Sequence, residues 1–145
     1  MLTADNVPEV ESNERLSRFV FSRSHINQQT KLLKADAFVP HPYEELSVMR
    51  DREATEAEIW AAGHLIGEVR SKSVGRLVSL RGRGDAIAGT YHDQKLKTVP
   101  DPVPGNPNHV NVTGWPSKDD KASQKLIALE IAKVAKFVAV QEGET

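Results

Sequence analysis

Histidine is the residue of this sequence best suited to proton transfer, because an imidazole exchanges protons near neutral pH. The chain contains five histidines. Two of them stand at the expected ends of strands, where sites are commonly built: His25, which follows Ser24 in a polar stretch, and His109, which follows a proline-rich segment. If the protein is an enzyme, His25 and His109 are the candidate catalytic acid/base pair.

The other three histidines give weaker indications of chemistry. His64 falls inside an expected helix, and His92 falls at the end of another, where a histidine can simply favour the last carbonyls. His41 stands between two prolines with Glu45 nearby, which leaves a metal-dependent hydrolase open as a third and weaker interpretation. The sequence predicts no metal site and no cofactor.

Arginine could bind an anion in the stretch Arg81-Gly-Arg-Gly-Asp85. An expected strand precedes it and an expected short helix follows it, so two guanidiniums would lie beside the amides of a helix start, an arrangement that binds phosphates. The segment 70–97 holds seven basic and two acidic residues, in a chain of net charge −1. A solvated Arg/Gly turn is the competing interpretation. The predicted ligand-binding residues are Arg81, Arg83, Ser24, Tyr43 and Trp115.

Several classes of protein are disfavoured by what the sequence lacks. There is no cysteine, which excludes disulfides, thiolate metal sites and thiol nucleophiles. The Walker phosphate loop and the GxGxxG, HExxH, GxSxG and calcium-loop patterns are also absent. No apolar run reaches the length of a signal peptide or a membrane span. We therefore predict a cytoplasmic protein that does not associate with membranes.

Two long helices are predicted from apolar spacing and from their first turns. Thr55 and Glu58 form a capping-box pattern, and apolar residues at helical spacing extend that helix over 56–70. Within it, Gly63 and Gly67 would let another element approach closely. A last helix begins at 117–120, and its predicted buried stripe is Ile127, Ile131, Val134 and Val138.

Strands are predicted over 15–21, 45–50, 76–80, 98–99 and 109–113, and Asp85 is the predicted N-cap of a short helix that runs to about Gln94. At 145 residues, with 39% apolar and 27% charged, the chain fits one domain. The predicted fold class is α+β, a four- to five-stranded sheet packed by two longer helices and one short helix. Residues 1–13 are predicted to be a disordered acidic leader and 14–142 the single domain.

Five short stretches, Phe21-Ser-Arg-Ser-His25, Ala37-Phe-Val-Pro40, Glu45-Leu-Ser-Val-Met-Arg50, Glu58-Ile-Trp60 and His109-Val-Asn-Val-Thr-Gly-Trp-Pro116, resemble a set found in a family of small bacterial proteins. The set spans residues 15–140. The resemblance implies a bacterial cytoplasmic protein, and it assigns no activity, substrate or catalytic residue.

Two functions from different classes are compatible with these observations. The first is a small binding or interaction module that recognises a phosphate-bearing or other anionic ligand, or a protein partner. The alternative is a metal-independent phosphodiesterase or nuclease that uses histidine for proton transfer and arginine to stabilise phosphate charge. The expected partners are a protein, an anionic small molecule or a nucleic acid, with a homo-oligomer left open. The net charge argues mildly against general nucleic-acid binding.

Overall fold

The computed structural model describes residues 2–141. Within that range it has six strands, three α-helices and two short 3₁₀ turns, at Arg23–His25 and Ala35–Phe38. The strands are β1 (Arg15–Val20), β2 (Leu46–Arg50), β3 (Gly82–Ile87), β4 (Lys97–Pro100), β5 (His109–Thr113) and β6 (Lys136–Ala139). The helices are α1 (Glu56–Val74), α2 (Ala88–Asp93) and α3 (Lys121–Val134).

The strands form one antiparallel sheet in the order β4-β5-β2-β1-β3-β6. The α+β class is confirmed, with two longer helices and one short helix, and the sheet has one strand more than the largest number predicted. No helix in residues 2–141 is both long enough and apolar enough to span a bilayer.

The third strand lies at a different place from the one predicted. Residues 76–80 are not a strand, and β3 instead contains the glycine-rich stretch that suggested a turn. The glycines are required by close packing: a Cβ on Gly84 would lie 2.6 Å from Leu33 Cδ1 and 2.8 Å from Phe38 Cζ. Glycine here therefore serves close packing in a strand rather than a turn.

The last predicted helix divides into a helix and a strand. α3 ends at Val134 because Ala135 is extended, and β6 then pairs with β3. Ile131 is fully buried, which confirms its predicted place in the core, but Val134 is 65% exposed and Val138 belongs to β6. Val134 and Val138 are therefore not part of the buried helical stripe.

Each face of the sheet buries its own apolar cluster. On one face, α3 and α2 cover the larger cluster, which includes Leu16, Val110 and Ile131. On the other face, α1 covers a smaller cluster of Phe19, Met49, Ile59 and Leu80. That smaller cluster contains no residue of β4 or β5. The odd-numbered residues of β5, which lie on this face, are accordingly only partly buried.

The N-terminal segment lies against the domain, where the sequence had predicted a disordered leader. Leu2 is buried, and the guanidinium of Arg50 donates hydrogen bonds to the carbonyl oxygens of Pro8 (2.6 Å) and Glu9 (3.1 Å). The physical reason is that fully buried Arg50 requires acceptors, and this segment supplies two of them. The segment before residue 14 thus contacts the domain, and the boundary at residue 14 stays a prediction.

Candidate functional site

The site that we describe begins at a gap between two central strands. β1 pairs with β2 through only two residue pairs, Leu16↔Arg50 and Ser17↔Met49, whereas it pairs with β3 through six. Beyond Ser17, the side chain of Arg18 reaches from β1 to β2. Its Nε donates to the carbonyl of Ala37 (3.1 Å), and its Nη1 donates to the carbonyl of Ser47 on β2 (3.0 Å). Two backbone acceptors thus hold this guanidinium in place.

A small cleft lies beside Arg18, between the C-terminal half of α1 and strands β1, β2 and β5. Its volume is about 30 Å³, close to that of one water molecule. Polar atoms come from Arg18, Ser47, Arg70, Asn106 and His109, above an apolar floor that includes Phe19 and Phe21. We call this the arginine cleft.

The second arginine of the cleft is Arg70, on α1. Its guanidinium lies over the ring of Phe21, 4.5 Å from the centroid, in a cation–π contact. Burial, and then the positive charge of Arg70, lower the pKa of Arg18 to about 10. Arg18 therefore still carries its charge at neutral pH, and two positive charges lie at the same cleft.

These two arginines lack the carboxylate partner that three other arginines have. Arg15 pairs with Glu56 at 2.7 Å, Arg50 with Glu14 at 2.7 Å, and Arg83 also with Glu56 at 2.7 Å. Neither Arg18 nor Arg70 forms an ion pair with any residue of 2–141. The positive charge of the cleft is thus available to an external anion.

His109 enters the cleft in a fixed orientation. Its Nδ1 lies 2.9 Å from the carbonyl oxygen of Asp101 and 3.1 Å from the carboxylate Oδ2 of the same residue. The amide of Asn111 donates to that same Oδ2 at 3.1 Å. Because both acceptors of Asp101 face Nδ1, the neutral ring carries its proton on Nδ1, and Nε2 has no hydrogen-bond partner among residues 2–141.

An open groove adjoins the arginine cleft beside Ser47 of β2 and Asn111 of β5. It holds about 470 Å³ and is lined by Pro42, Tyr43, Glu44, Glu45, Ser47, Asn111 and Lys118. Ser47 contributes to both the cleft and this groove, and it pairs with Asn111 across the two strands. We call this second space the Tyr43 groove.

The structure does not bring the two predicted catalytic histidines, His25 and His109, into one cleft. His25 lies in the 3₁₀ turn after β1, whose backbone packs near the second turn, 35–38. Burial, and then the positive charge of Arg18, lower the pKa of His25 below its ordinary value of 6.5. No hydrogen bond links His25 to His109 in the described part of the chain, and His25 does not line the arginine cleft. A mechanism that needs both imidazoles on one group has no support from this arrangement.

The arrangement predicted for Arg81 and Arg83 is absent, because this stretch enters a strand rather than a helix start. Arg83 is 2% exposed, and it donates to Glu56 at 2.7 Å and to Asp85 at 3.1 Å. Its guanidinium also stacks over Trp60, 4.7 Å from the ring centroid. Arg81 is half-buried, and its Nε has no hydrogen-bond partner among the described residues. Arg83 is thus neutralised inside the protein, whereas Arg81 forms no ion pair with any residue of 2–141. Arg81 does not line the arginine cleft, where Arg18 and Arg70 lie together.

The remaining predicted ligand residues occupy three different environments. Ser24 is exposed and shares a 2.7 Å hydrogen bond with Ser22. Trp115 is buried in the larger apolar cluster, and its indole N–H donates to the carbonyl of Val112. Tyr43 is 70% exposed and lines the groove named after it. Of the three, Tyr43 alone belongs to the site that we describe.

His41 and Glu45 do not form a metal-binding cluster. The Nδ1 of His41 lies 3.1 Å from the backbone carbonyl of Lys118. Among residues 2–141 there is no grouping of three or more metal-ligating side chains.

Arg18, Arg70 and Asp101 were not recognised from the sequence. One signal was available for Arg18, which falls between Leu16 and Val20 at an inward-facing position of β1, where an arginine is unexpected. No local sequence pattern indicates Arg70 or Asp101, because the order of the strands in the folded sheet brings these residues to the site.

Comparisons of the chain with protein-family models, with curated proteins and with solved structures found no match. The resemblance to small bacterial proteins stays a prediction.

Proposed function

We propose that this protein binds a phosphate-bearing anion in the arginine cleft. The observation that carries the proposal is the presence of two adjacent guanidiniums, Arg18 and Arg70, without a carboxylate partner in residues 2–141. Guanidiniums form strong, charge-assisted hydrogen bonds to phosphate oxygens. An anion would also relieve the repulsion between the two positive charges.

The dimensions of the cleft limit what enters it. A volume of about 30 Å³ admits a single terminal oxygen and not a whole phosphate group, so the rest of the ligand lies at the mouth. Arg18 is preorganised by its two backbone acceptors. Arg70 is exposed on the surface of α1 and can follow the anion.

The proposal is tested by calorimetric titration of inorganic phosphate and pyrophosphate at low ionic strength. Arg70→Ala is expected to weaken binding by about 10- to 100-fold, because a hydrogen bond to a charged group contributes about 1.5–3 kcal/mol. Arg76→Ala removes the same charge from an exposed position just after α1 and is expected to leave the affinity unchanged.

A second variant separates charge from shape. Arg18→Lys keeps a positive charge but cannot reproduce both backbone hydrogen bonds and the planar contact with phosphate. We expect weaker binding with the net charge preserved. The proposal is overturned if the unmutated protein binds neither probe, or if Arg76→Ala weakens binding as much as Arg70→Ala does.

One observation favours a second candidate function, the metal-independent hydrolysis of a phosphodiester. Asp101 orients His109 so that Nε2 is available as a general base, and the two guanidiniums can stabilise charge on the reacting phosphate. This candidate uses His109 alone, since His25 does not line the cleft. It is tested by incubating single-stranded RNA with the protein in the presence of a chelator. Cleavage that His109→Ala abolishes while phosphate binding persists would establish it, and intact RNA would leave binding as the function.

A further inference from the structure

The Tyr43 groove adjoins the arginine cleft at Ser47, so a ligand held by its phosphate can extend into it. Ser47 lies at the boundary of the two spaces and faces Asn111 across β2 and β5. His109, in the cleft, and Asn111, in the groove, are two residues apart on β5 and therefore point to the same side, about 7 Å apart along the strand. A single small molecule can reach both.

Tyr43 presents an exposed aromatic side chain from an anchored backbone. Its N–H donates to the carbonyl of Pro40 (2.9 Å), and its own carbonyl accepts from the amide of Gln124 (3.1 Å). Gln124 is fully buried, which fixes this anchor to α3. The side chain is nevertheless 70% exposed. A large aromatic group exposed on a held backbone is suited to stacking against a planar ligand.

Polar groups around Tyr43 can supply both hydrogen-bond donors and acceptors. Asn111 uses its NH₂ group on Asp101, and its amide oxygen has no hydrogen-bond partner among residues 2–141. The carboxylate of Glu45 likewise makes no hydrogen bond in that range, and Lys118 adds a flexible cation. The edges of a nucleobase carry donors and acceptors that match these groups.

We infer that the anion is a nucleotide, with its phosphate in the arginine cleft and its base against Tyr43 in the adjoining groove. This inference rests on the proposed binding of a phosphate group. The inference is specific to nucleotides, because a sugar phosphate has no aromatic plane to stack on Tyr43 and an inorganic anion does not reach the groove. A volume of about 470 Å³ leaves room for a base and its ribose.

The test compares two probes that share a ribose and a phosphate and differ in the base. Adenosine 5′-monophosphate and ribose 5-phosphate are titrated calorimetrically into the protein at low ionic strength. We expect the nucleotide to bind at least about tenfold more tightly, because stacking of one base on an aromatic side chain contributes about that factor or more.

Variants of Tyr43 then locate the base. Tyr43→Ala is expected to remove the advantage of the nucleotide, lowering its affinity about tenfold without affecting ribose 5-phosphate. Tyr43→Phe retains the ring and is expected to retain the advantage. Leu126→Ala, an equally exposed change on α3 at the opposite face of the sheet, is the matched control and should alter neither affinity.

The outcomes distinguish the inference from the proposed function. If both probes bind with equal affinity, the nucleotide inference is wrong and phosphate binding stands. If the nucleotide binds more tightly but Tyr43→Ala leaves its affinity unchanged, the base does not lie at Tyr43, and the inference is again wrong. If neither probe binds, and inorganic phosphate does not bind either, both proposals fail.

Discussion

Both carboxylate oxygens of Glu14 accept hydrogen bonds from Arg50, from Nε to Oε1 at 2.8 Å and from Nη2 to Oε2 at 2.7 Å. The side chain of Arg50 is fully buried, and that of Glu14 is 8% exposed. Since Glu14 directly precedes β1 and Arg50 ends β2, this bidentate pair joins the two central strands at the end opposite to the gap that Arg18 occupies. The remaining bonds of Arg50 hold the N-terminal segment against the sheet.

Glu14→Gln is expected to destabilise the protein by about 3–5 kcal/mol, because it leaves the buried guanidinium of Arg50 without its counter-charge. The free energy of unfolding is measured by urea titration. Glu11→Gln makes the same chemical change on an exposed side chain nearby and is expected to have little effect. Equal stability of the two variants would show that the Arg50 charge is not compensated by Glu14.

The same pair predicts a loss of stability in acid. Burial would raise the pKa of Glu14, but hydrogen bonds from Arg50 and from the backbone N–H of Glu11, with the charges of Arg50 and Arg52, hold it below its ordinary value of 4.5. The contribution of this pair to the free energy of unfolding is fully present above pH 4.5. Below pH 4.5 the unfolded chain binds a proton before the folded chain does, so the contribution decreases as the pH falls towards the pKa of Glu14 in the folded state. In Glu14→Gln, unfolding measured across this window should depend less steeply on pH.

Thr55→Ala is expected to lower the free energy of unfolding by about 1 kcal/mol. The sequence predicted a capping box here, and the structure confirms it: Glu58 N–H donates to the Thr55 hydroxyl at 3.1 Å, and Thr55 N–H donates to the Glu58 carboxylate at 2.9 Å. Thr55→Ser retains the hydroxyl and should retain most of the stability. Identical urea midpoints for all three proteins would contradict a stabilising cap.

Ile131→Asp is expected to cost several kcal/mol, because it places an unpaired charge at a fully buried position of α3. Leu126→Asp is the matched change on the same helix, where the side chain is 67% exposed. It should leave the melting temperature nearly unchanged. A similar melting temperature for both variants would mean that α3 does not pack through Ile131.

The features of single helices were predicted correctly from local sequence, whereas the positions of β3 and β6 were not, because they depend on contacts between distant residues. The cap at Thr55 and the buried Ile131 follow from patterns within one helix. The position of β3 does not follow from a local pattern, because Gly84 is needed there for packing against Leu33 and Phe38, which are distant in sequence. β6 was missed because residues 136–139 continue an apolar helical pattern, and only pairing with β3 makes them a strand.

The candidate site was predicted only in part for the same reason. His109 and Tyr43 were recognised from their residue types and their places near strands and loops, and both line the described site. The arginines expected to bind an anion were placed at 81–85, because a helix start was expected there. An arginine keeps an unpaired charge only where no carboxylate contacts it, and such contacts depend on the fold. Glu56, for example, pairs with Arg83 although the two residues are 27 positions apart in the sequence.

The final prediction concerns Gly63, which sets how closely α1 approaches the sheet. A Cβ at this position would lie 2.7 Å from two ring atoms of Phe19 and 2.9 Å from Leu80 Cδ2, which confirms the close approach expected from the glycine spacing. Gly63→Ala should therefore destabilise the protein, since overpacking costs about 1–3 kcal/mol and the gain in helix propensity is at most about 1 kcal/mol. The variant should also bind phosphate more weakly, by up to about tenfold, because Arg70 lies two turns further along α1 and moves away from Arg18 with the helix.

Ala61→Gly is the control that separates the two effects. It lowers helix propensity by about 1 kcal/mol at an exposed position of α1, so it should reduce stability while leaving phosphate affinity unchanged. Urea titration gives the stability of both variants, and calorimetry with pyrophosphate gives their affinities. If Gly63→Ala is more stable than the unmutated protein and binds equally well, then helix propensity alone governs this position. In that case α1 does not need its close contact with Phe19 to place Arg70 at the cleft.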